Sequence, residues 1–335
     1  MKASRWLERG LRQALPVLFV TMLAVFGLLS PKFLSVDNLV NIGIQAAPAG
    51  IVAIGMTFVL ITAGVDLSVG AIMFVAAAVA GKMALAGHSF SLSIVVMVVI
   101  GAAFGVVNAF FITRMRVAAF IVTLALLFVG RGFALWLTQT RAMNLPDGFL
   151  QLGAVRVAGV PLPLALFGLV ALAAHGTLSR TPFGRQVMAV GHNRESAGQA
   201  GINTTHILGA VYLLSGVCAA FGAILALGQL GAVTPKFGEN YEFKAIAAAV
   251  LGGTSLFGGR GGVLPGTVLG ALLIQAIENG LVLLNADPYL YPLITSAIIL
   301  TAVLLDSLRH LLLAKGRRRK IRREPADSPV AGNLT

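Results

Sequence analysis

Ten apolar runs of 15–23 residues follow one another along this chain, at 14–30, 43–64, 68–86, 91–113, 118–138, 161–178, 206–227, 244–258, 262–284 and 288–305. About 20 apolar residues in a helix cross the hydrocarbon core of a bilayer. Inside that core the backbone finds no water to bond, so a spanning segment must satisfy its own N–H and C=O groups as a helix does. The runs therefore predict an all-α, polytopic membrane protein of about ten transmembrane helices. Composition agrees: 11% of the residues are charged, against roughly 25% in a soluble domain, which excludes a water-soluble enzyme. The run 14–30 follows a basic start, as a signal peptide's would. Its length, the missing small-x-small exit and Pro31 at the would-be cleavage point favour a retained first span.

A net charge of +13 can suggest nucleic acid, but the basic residues lie mostly between the apolar runs, and no nucleic acid partner is expected. With ten spans and the N-terminus inside, 18 of the 25 Lys and Arg fall in inner segments and five in outer loops, as the positive-inside rule requires. Both termini are thus expected in the cytoplasm. The chain divides into a cytoplasmic segment 1–13, a membrane domain 14–305 and a basic tail 306–335. The tail has too little apolar surface to pack and reads as disordered, an anchor at an anionic lipid surface. Eight spans remain open if two runs are re-entrant. The single Cys218 allows no internal disulfide.

One inner connection, 179–205, is long. Inside it Asn193 can cap a short helix at 194–200, Glu195 suits the positive helix start, and Gly201 supplies a left-handed stop. Two turns of helix are unstable alone in water, so this helix needs a surface to rest on. Its small residues Ser196, Ala197, Gly198 and Ala200 would let a groove approach closely.

The heptapeptide ESAGQAG at 195–201 resembles the E-A-A-x-x-x-G loop of bacterial ABC-importer permeases, with Ser196 in place of Ala. GMTFVLITAGVDLSVGAIM (55–73), FIVTLALLFVGRG (120–132), TPFGRQVMAVGHNRESAGQAGI (181–202) and AIAAAVLGGTSLFGGRGGVLPGTVLGALLIQAIENGL (245–281) are similar to the ribose/xylose/arabinose branch of that family. The resemblance implies the permease subunit of an ATP-driven importer of a monosaccharide in the bacterial inner membrane. Implied partners are a cytoplasmic ABC ATPase, a periplasmic sugar-binding protein and a second permease chain, identical or different. Asn193, Arg194, Glu195, Ser196, Ala197 and Gly201 would then couple this chain to the ATPase. ATP and Mg would sit on that ATPase; this chain is expected to bind no cofactor or metal and to have no catalytic residue. Consistently, it has no G-x-x-x-x-G-K-[ST] phosphate loop.

Polar groups inside a span usually face a cavity or a partner. Gln275, Glu278 and Asn279 share one helical face by their spacing and are candidates for the translocation path, or else for bonding between helices. Arg131 and Glu278 lie at similar depths and are expected to pair, unless Arg131 snorkels to the surface. Asn108 could line the path or bond a neighbour. Asp66 and Ser68, with Gly70 in the same turn, are expected to cap the third span. Gly101 with Gly105, and Gly262 with Gly266 and Gly270, predict close helix packing.

Three rival functions carry distinct requirements. An ion-coupled secondary transporter needs midplane carboxylates, for which Glu278 is the one candidate and which would leave the 179–205 loop without a role. An intramembrane enzyme would need a motif such as H-E-x-x-H or G-x-S-x-G, and neither is present. A branched-chain amino acid permease is the nearest alternative, and GVDLSVG and GALLIQAIENGL look more like the sugar branch.

Overall fold

The structure, a computed structural model, describes residues 17–287 without a break and a scatter of residues between 289 and 304. The readings made for the segment 1–13, the tail 306–335 and part of the run 288–305 lie outside the described residues. In chain order the long elements are α1 (Val17–Leu29), α2 (Val36–Ile61), α3 (Val69–Leu85), α4 (Phe90–Thr113) and α5 (Ala119–Thr138). They continue with α6 (Asp147–Ala154), α7 (Leu162–Arg180), α8 (Pro182–His192), α9 (Arg194–Gln199), α10 (Thr204–Leu230), α11 (Tyr241–Leu251) and α12 (Val268–Leu283). Six segments among the described residues are helical, long and apolar enough to cross a membrane: α2, α4, α5, α7, α10 and the stretch Val263–Leu283.

Polar caps set where these helices begin. The Ser35 hydroxyl accepts the Asn38 N–H at the start of α2, Ser89 that of Leu92 at α4, and Asn203 that of His206 at α10. Gly231, at φ 63°, ends α10 in the left-handed conformation.

Burial runs opposite to what a soluble bundle would show. The central stretches of α2 and α10 are 83% and 72% buried, whereas those of α4, α5 and α7 are 22% buried, and α4 is the most apolar of the six. Large side chains such as Val99, Phe128 and Leu172 point outward, each at least 60% exposed. In water such a surface would aggregate; in lipid it is the expected solvent-facing side.

Small residues bring the central helices together. A Cβ on Gly55 of α2 would lie 2.8 Å from Cys218 Cβ on α10, and a Cβ on Gly101 of α4 would collide with the Gly216 carbonyl of α10. Gly105 meets the backbone of Tyr212 and Leu213 in the same way. Gly101→Leu is expected to destabilise the purified chain by about 1–3 kcal/mol, the usual cost of overpacking. A thermal midpoint equal to the parent's would show that α4 and α10 are not in backbone contact.

Two departures from the sequence reading concern the ends. Short strands are present: β1 (Met143–Asn144) pairs antiparallel with β4 (Ala232–Val233), and β2 (Arg156–Val157) with β3 (Val160–Pro161). The β2–β3 turn uses Ala158 and Gly159 at φ 49° and 82°, the geometry that matches strand twist in a two-residue hairpin.

The larger departure is the expected span 244–258. The helix there, α11, has 11 residues and stops at Leu251, too short to cross alone. Its start lies deep in the bundle. Val233 of β4 packs near Gly81 of α3, while the Glu242 carboxylate and the Gly238 carbonyl rest on Gly70. Eleven helical residues separate Gly70 from Gly81, about 16 Å at helical rise. The stretch 234–241 therefore runs that far down α3 before α11 begins. Gly252 then meets Gly266, and Gly270 the Ala248 carbonyl, as the chain turns through Val263–Thr267 into α12.

Candidate sites on the loop, in the core and between α2, α11 and α12

The short helix expected at 194–200 is α9, Arg194–Gln199. The Asn193 Oδ1 accepts the Ser196 N–H at 2.8 Å, which fixes the start. At the other end Gly201 stands at φ 83°, and the Ile202 N–H reaches back to the Ala197 carbonyl at 3.0 Å. That pairing across a left-handed glycine is a Schellman closure. Arg194, Glu195, Ser196, Gly198 and Gln199 are exposed, and Ala197 is buried against the protein. Gly198 has open space where a side chain would project.

One joint ties this loop to the end of α2. The Gly259 N–H donates to the Ile61 carbonyl at the end of α2. A Cβ on Gly191, at the end of α8, would strike both groups. Displacing α8 therefore displaces the ends of α2 and of the turn that follows α11.

A buried polar node lies between α2 and α3. Asp66 Oδ1 accepts the Ser68 N–H at 3.0 Å and the Ser68 hydroxyl at 2.5 Å, and Oδ2 accepts the Ser215 hydroxyl at 2.8 Å. Asn108 Nδ2 donates to Ser68 Oγ at 2.8 Å and to Asp66 Oδ1 at 3.5 Å. All four residues are fully buried. Asp66 caps the start of α3, whereas the Ser68 hydroxyl bonds Asp66 and Asn108 and caps nothing. Gly70 belongs to α3 itself, where its missing side chain makes room for Glu242. Asn108 is bonded inside this node, on no open surface.

The third polar region joins α2, α11 and α12. Asn38 and Asn279 exchange amide hydrogen bonds at 2.9 and 3.0 Å. Gln275 Nε2 donates to Gln45 Oε1 at 2.9 Å, and Gln45 bonds Asn41 at 3.2 Å. Glu278 accepts Lys244 Nζ at 2.7 Å, the two side chains being 20% and 30% exposed. The expected pair of Glu278 with Arg131 is thereby corrected. Glu278 faces α11, whereas Arg131 rises from α5 on the far side of α3, where its neighbour Gly130 touches Ala71. Asn279 is buried; Gln275, Glu278 and Lys244 are partly open, and Asn41 and Gln45 are exposed.

Lys244 and Glu242 were not among the sequence candidates. Lys244 reads in the sequence as a charge of an outer loop, because the apolar run starts beside it. Glu242 is two residues earlier in the same stretch, YEFKAIAAAV. A carboxylate and an ammonium at the mouth of an apolar run were the available signal.

The sequence pattern of the family described as "Branched-chain amino acid transport system / permease component" matches residues 38–305. The ribose import permease protein of Escherichia coli (strain K12) is 36% identical over 296 residues, covering 87% of this chain and 92% of that protein. The ribose import permease protein of Bacillus subtilis (strain 168) is 38% identical over 292 residues, covering 86% and 90%. The galactose/methyl galactoside import permease protein of Salmonella typhimurium is 33% identical over 329 residues, covering 91% and 96%. No solved structure matches the chain.

Proposed function

The chain belongs to the branched-chain amino acid transport system / permease component family, and from that premise we propose that it is the transmembrane permease subunit of an ATP-driven ABC importer for a monosaccharide. The observation that carries this is the likeness along almost the whole chain to permeases named for ribose and galactose import. The polar groups between α2, α11 and α12 suit such a cargo, since amides and an ion pair can exchange hydrogen bonds with hydroxyls.

The chain crosses the bacterial inner membrane ten times and keeps both termini in the cytoplasm. The stretch 234–241 with α11 supplies one crossing between them, and the run 288–305 the last. The α8–α9 loop lies at the cytoplasmic face, where the exposed side of α9 docks on the ATPase subunit. ATP and Mg belong to that subunit, and no reaction is catalysed here. A second permease chain completes the path, a periplasmic sugar-binding protein delivers the cargo, and the apolar outer faces of α4, α5 and α7 meet lipid. The path runs along the face carrying Asn41, Gln45, Lys244, Gln275 and Glu278. Exposed polar side chains at membrane depth are costly unless they border water, which supports that placement.

The test is purification of the chain with its partners from native membranes and reconstitution in liposomes. A co-purifying ATPase and ATP-dependent uptake of a labelled pentose or hexose are expected. Uptake of leucine in place of any sugar would move the chain to the amino acid branch. Uptake driven by an ion gradient without ATP would overturn the reading.

A further inference from the structure

A carboxylate and a guanidinium, each with a buried atom that lacks a hydrogen-bond partner among the described residues, lie on either side of α3. Glu242, in the first turn of α11, is 4% exposed, and its Oε2 has no hydrogen-bond partner among the described residues. Arg131 on α5 has its Nη2 buried, likewise without a partner. The guanidinium is close enough to act electrostatically on the carboxylate, as is the exposed Glu239 with the opposite sign. Between them stands α3, with Gly70 under the carboxylate and Ala71 against Gly130, the neighbour of Arg131. Buried polar atoms are rarely left unpaired, and an ion buried without compensation costs several kcal/mol. Such a cost persists where it fixes a position.

Residues two apart on a helix point to opposite sides. Glu242 thus turns toward α3 and α5 while Lys244 turns to Glu278 on α12. The first turn of α11 is gripped by charge on both sides.

We propose that Arg131 and Glu242 are a positioning pair: their attraction across the notch at Gly70 holds the stretch 234–241 and the start of α11 against α3. That sets where Lys244 meets Glu278 on the polar face. Gly70 is part of the device, since any side chain there would push the carboxylate away. The role in transport rests on the reading of this chain as an importer subunit; the positioning itself does not.

The experiment measures the position directly. Spin labels replace exposed Trp136 on α5 and exposed Lys236 on the descending stretch, in a Cys218→Ala background, and the distance between them is read by pulsed electron resonance in the assembled complex. One narrow distance is expected in the parent. Glu242→Gln and Arg131→Gln widen or shift it, and Arg131→Glu with Glu242→Arg in one chain restores it. Arg131→Lys, which keeps the charge, stays close to the parent and serves if a neutral variant fails to assemble. Uptake should follow the same order, about tenfold lower in the neutral variants and regained in the exchange. An unchanged distance in both neutral variants, or an exchange no better than either, overturns the proposal. Absence of sugar uptake in the parent would overturn the assigned cargo and leave the distance result standing.

Discussion

Asp66→Ala is expected to lower the stability of the purified chain by about 3 kcal/mol, and Asp66→Asn by much less. Each hydrogen bond to a charged group is worth ~1.5–3 kcal/mol, and a buried donor left empty costs ~1–3 kcal/mol more. Alanine removes the acceptor of the Ser68 N–H, both serine hydroxyls and, at longer range, the Asn108 amide. The Ser215 hydroxyl, inside α10, can turn to the carbonyl four residues back, which recovers part of the loss, but the Ser68 N–H has no such escape. Asparagine keeps one oxygen for that N–H and offers an amide to a Ser215 hydroxyl that can reverse its direction. The carboxylate sits at the start of α3, where the helix dipole favours negative charge by about 0.3–2 kcal/mol. That dipole and the neutral donors surround the side chain, and no basic group among the described residues is in hydrogen-bond contact with it. The check is the thermal midpoint in detergent for both variants and for Ser215→Ala, for which about 1 kcal/mol is expected. Equal midpoints for Asp66→Ala and the parent would mean that the node holds nothing together.

What could be seen in the sequence depended on whether its cause was local. A span is a continuous stretch, so α2, α4, α5, α7 and α10 fall within a few residues of where the apolar runs place them, apart from a longer start to α2. The caps of α9 are equally local: Asn193 and Gly201 act on residues three to five positions away, and the spacing announces them. The run 244–258 is short and broken by glycine, and the helix in it is shorter than its apolar length suggests. Gly252, Gly253 and Gly258 in the run, and Gly259 just after it, form turns, three of the four at positive φ. The descent of 234–241 had no signal, since its polar residues read as a loop and nothing local says that the loop enters the bundle.

Partners distant in sequence were the least legible. Among Arg131, Glu242, Lys244 and Glu278, depth along a helix is readable from the count of residues to its end. The azimuth that decides which charge meets which depends on how α3 separates α5 from α11. The same holds for Gln275 and Asn279, whose shared face was evident but whose partners Gln45 and Asn38 lie more than 200 residues away.

Gly198→Glu is the change expected to abolish transport while leaving the chain itself intact. A Cβ at Gly198 meets nothing within 4 Å among the described residues, and glutamate favours a helix over glycine by up to about 1 kcal/mol, so the melting midpoint should not fall. On a docked helix the same group would enter the partner's groove. Well-packed central contacts in interfaces carry at least about 2 kcal/mol, equal to a roughly 30-fold loss of affinity. The expected result is an ATPase subunit that no longer co-purifies and uptake reduced by at least that factor. Ala197→Glu separates the two effects. Ala197 is 5% exposed and faces the protein, so a charge there must be buried or must expel α9, and the chain should lose stability as well as uptake. Gly191→Ala acts one step further in, because its Cβ would strike the Ile61 carbonyl and the Gly259 N–H. It is expected to leave the exposed face of α9 available to the ATPase while breaking the joint to α2. ATP hydrolysis would then continue in the assembled complex without uptake. Full uptake in Gly198→Glu would show that the ATPase docks elsewhere. Uptake in Gly191→Ala that still follows hydrolysis would show that motion reaches α2 by another contact, such as the Phe183 ring of α8 stacked on Phe58 of α2.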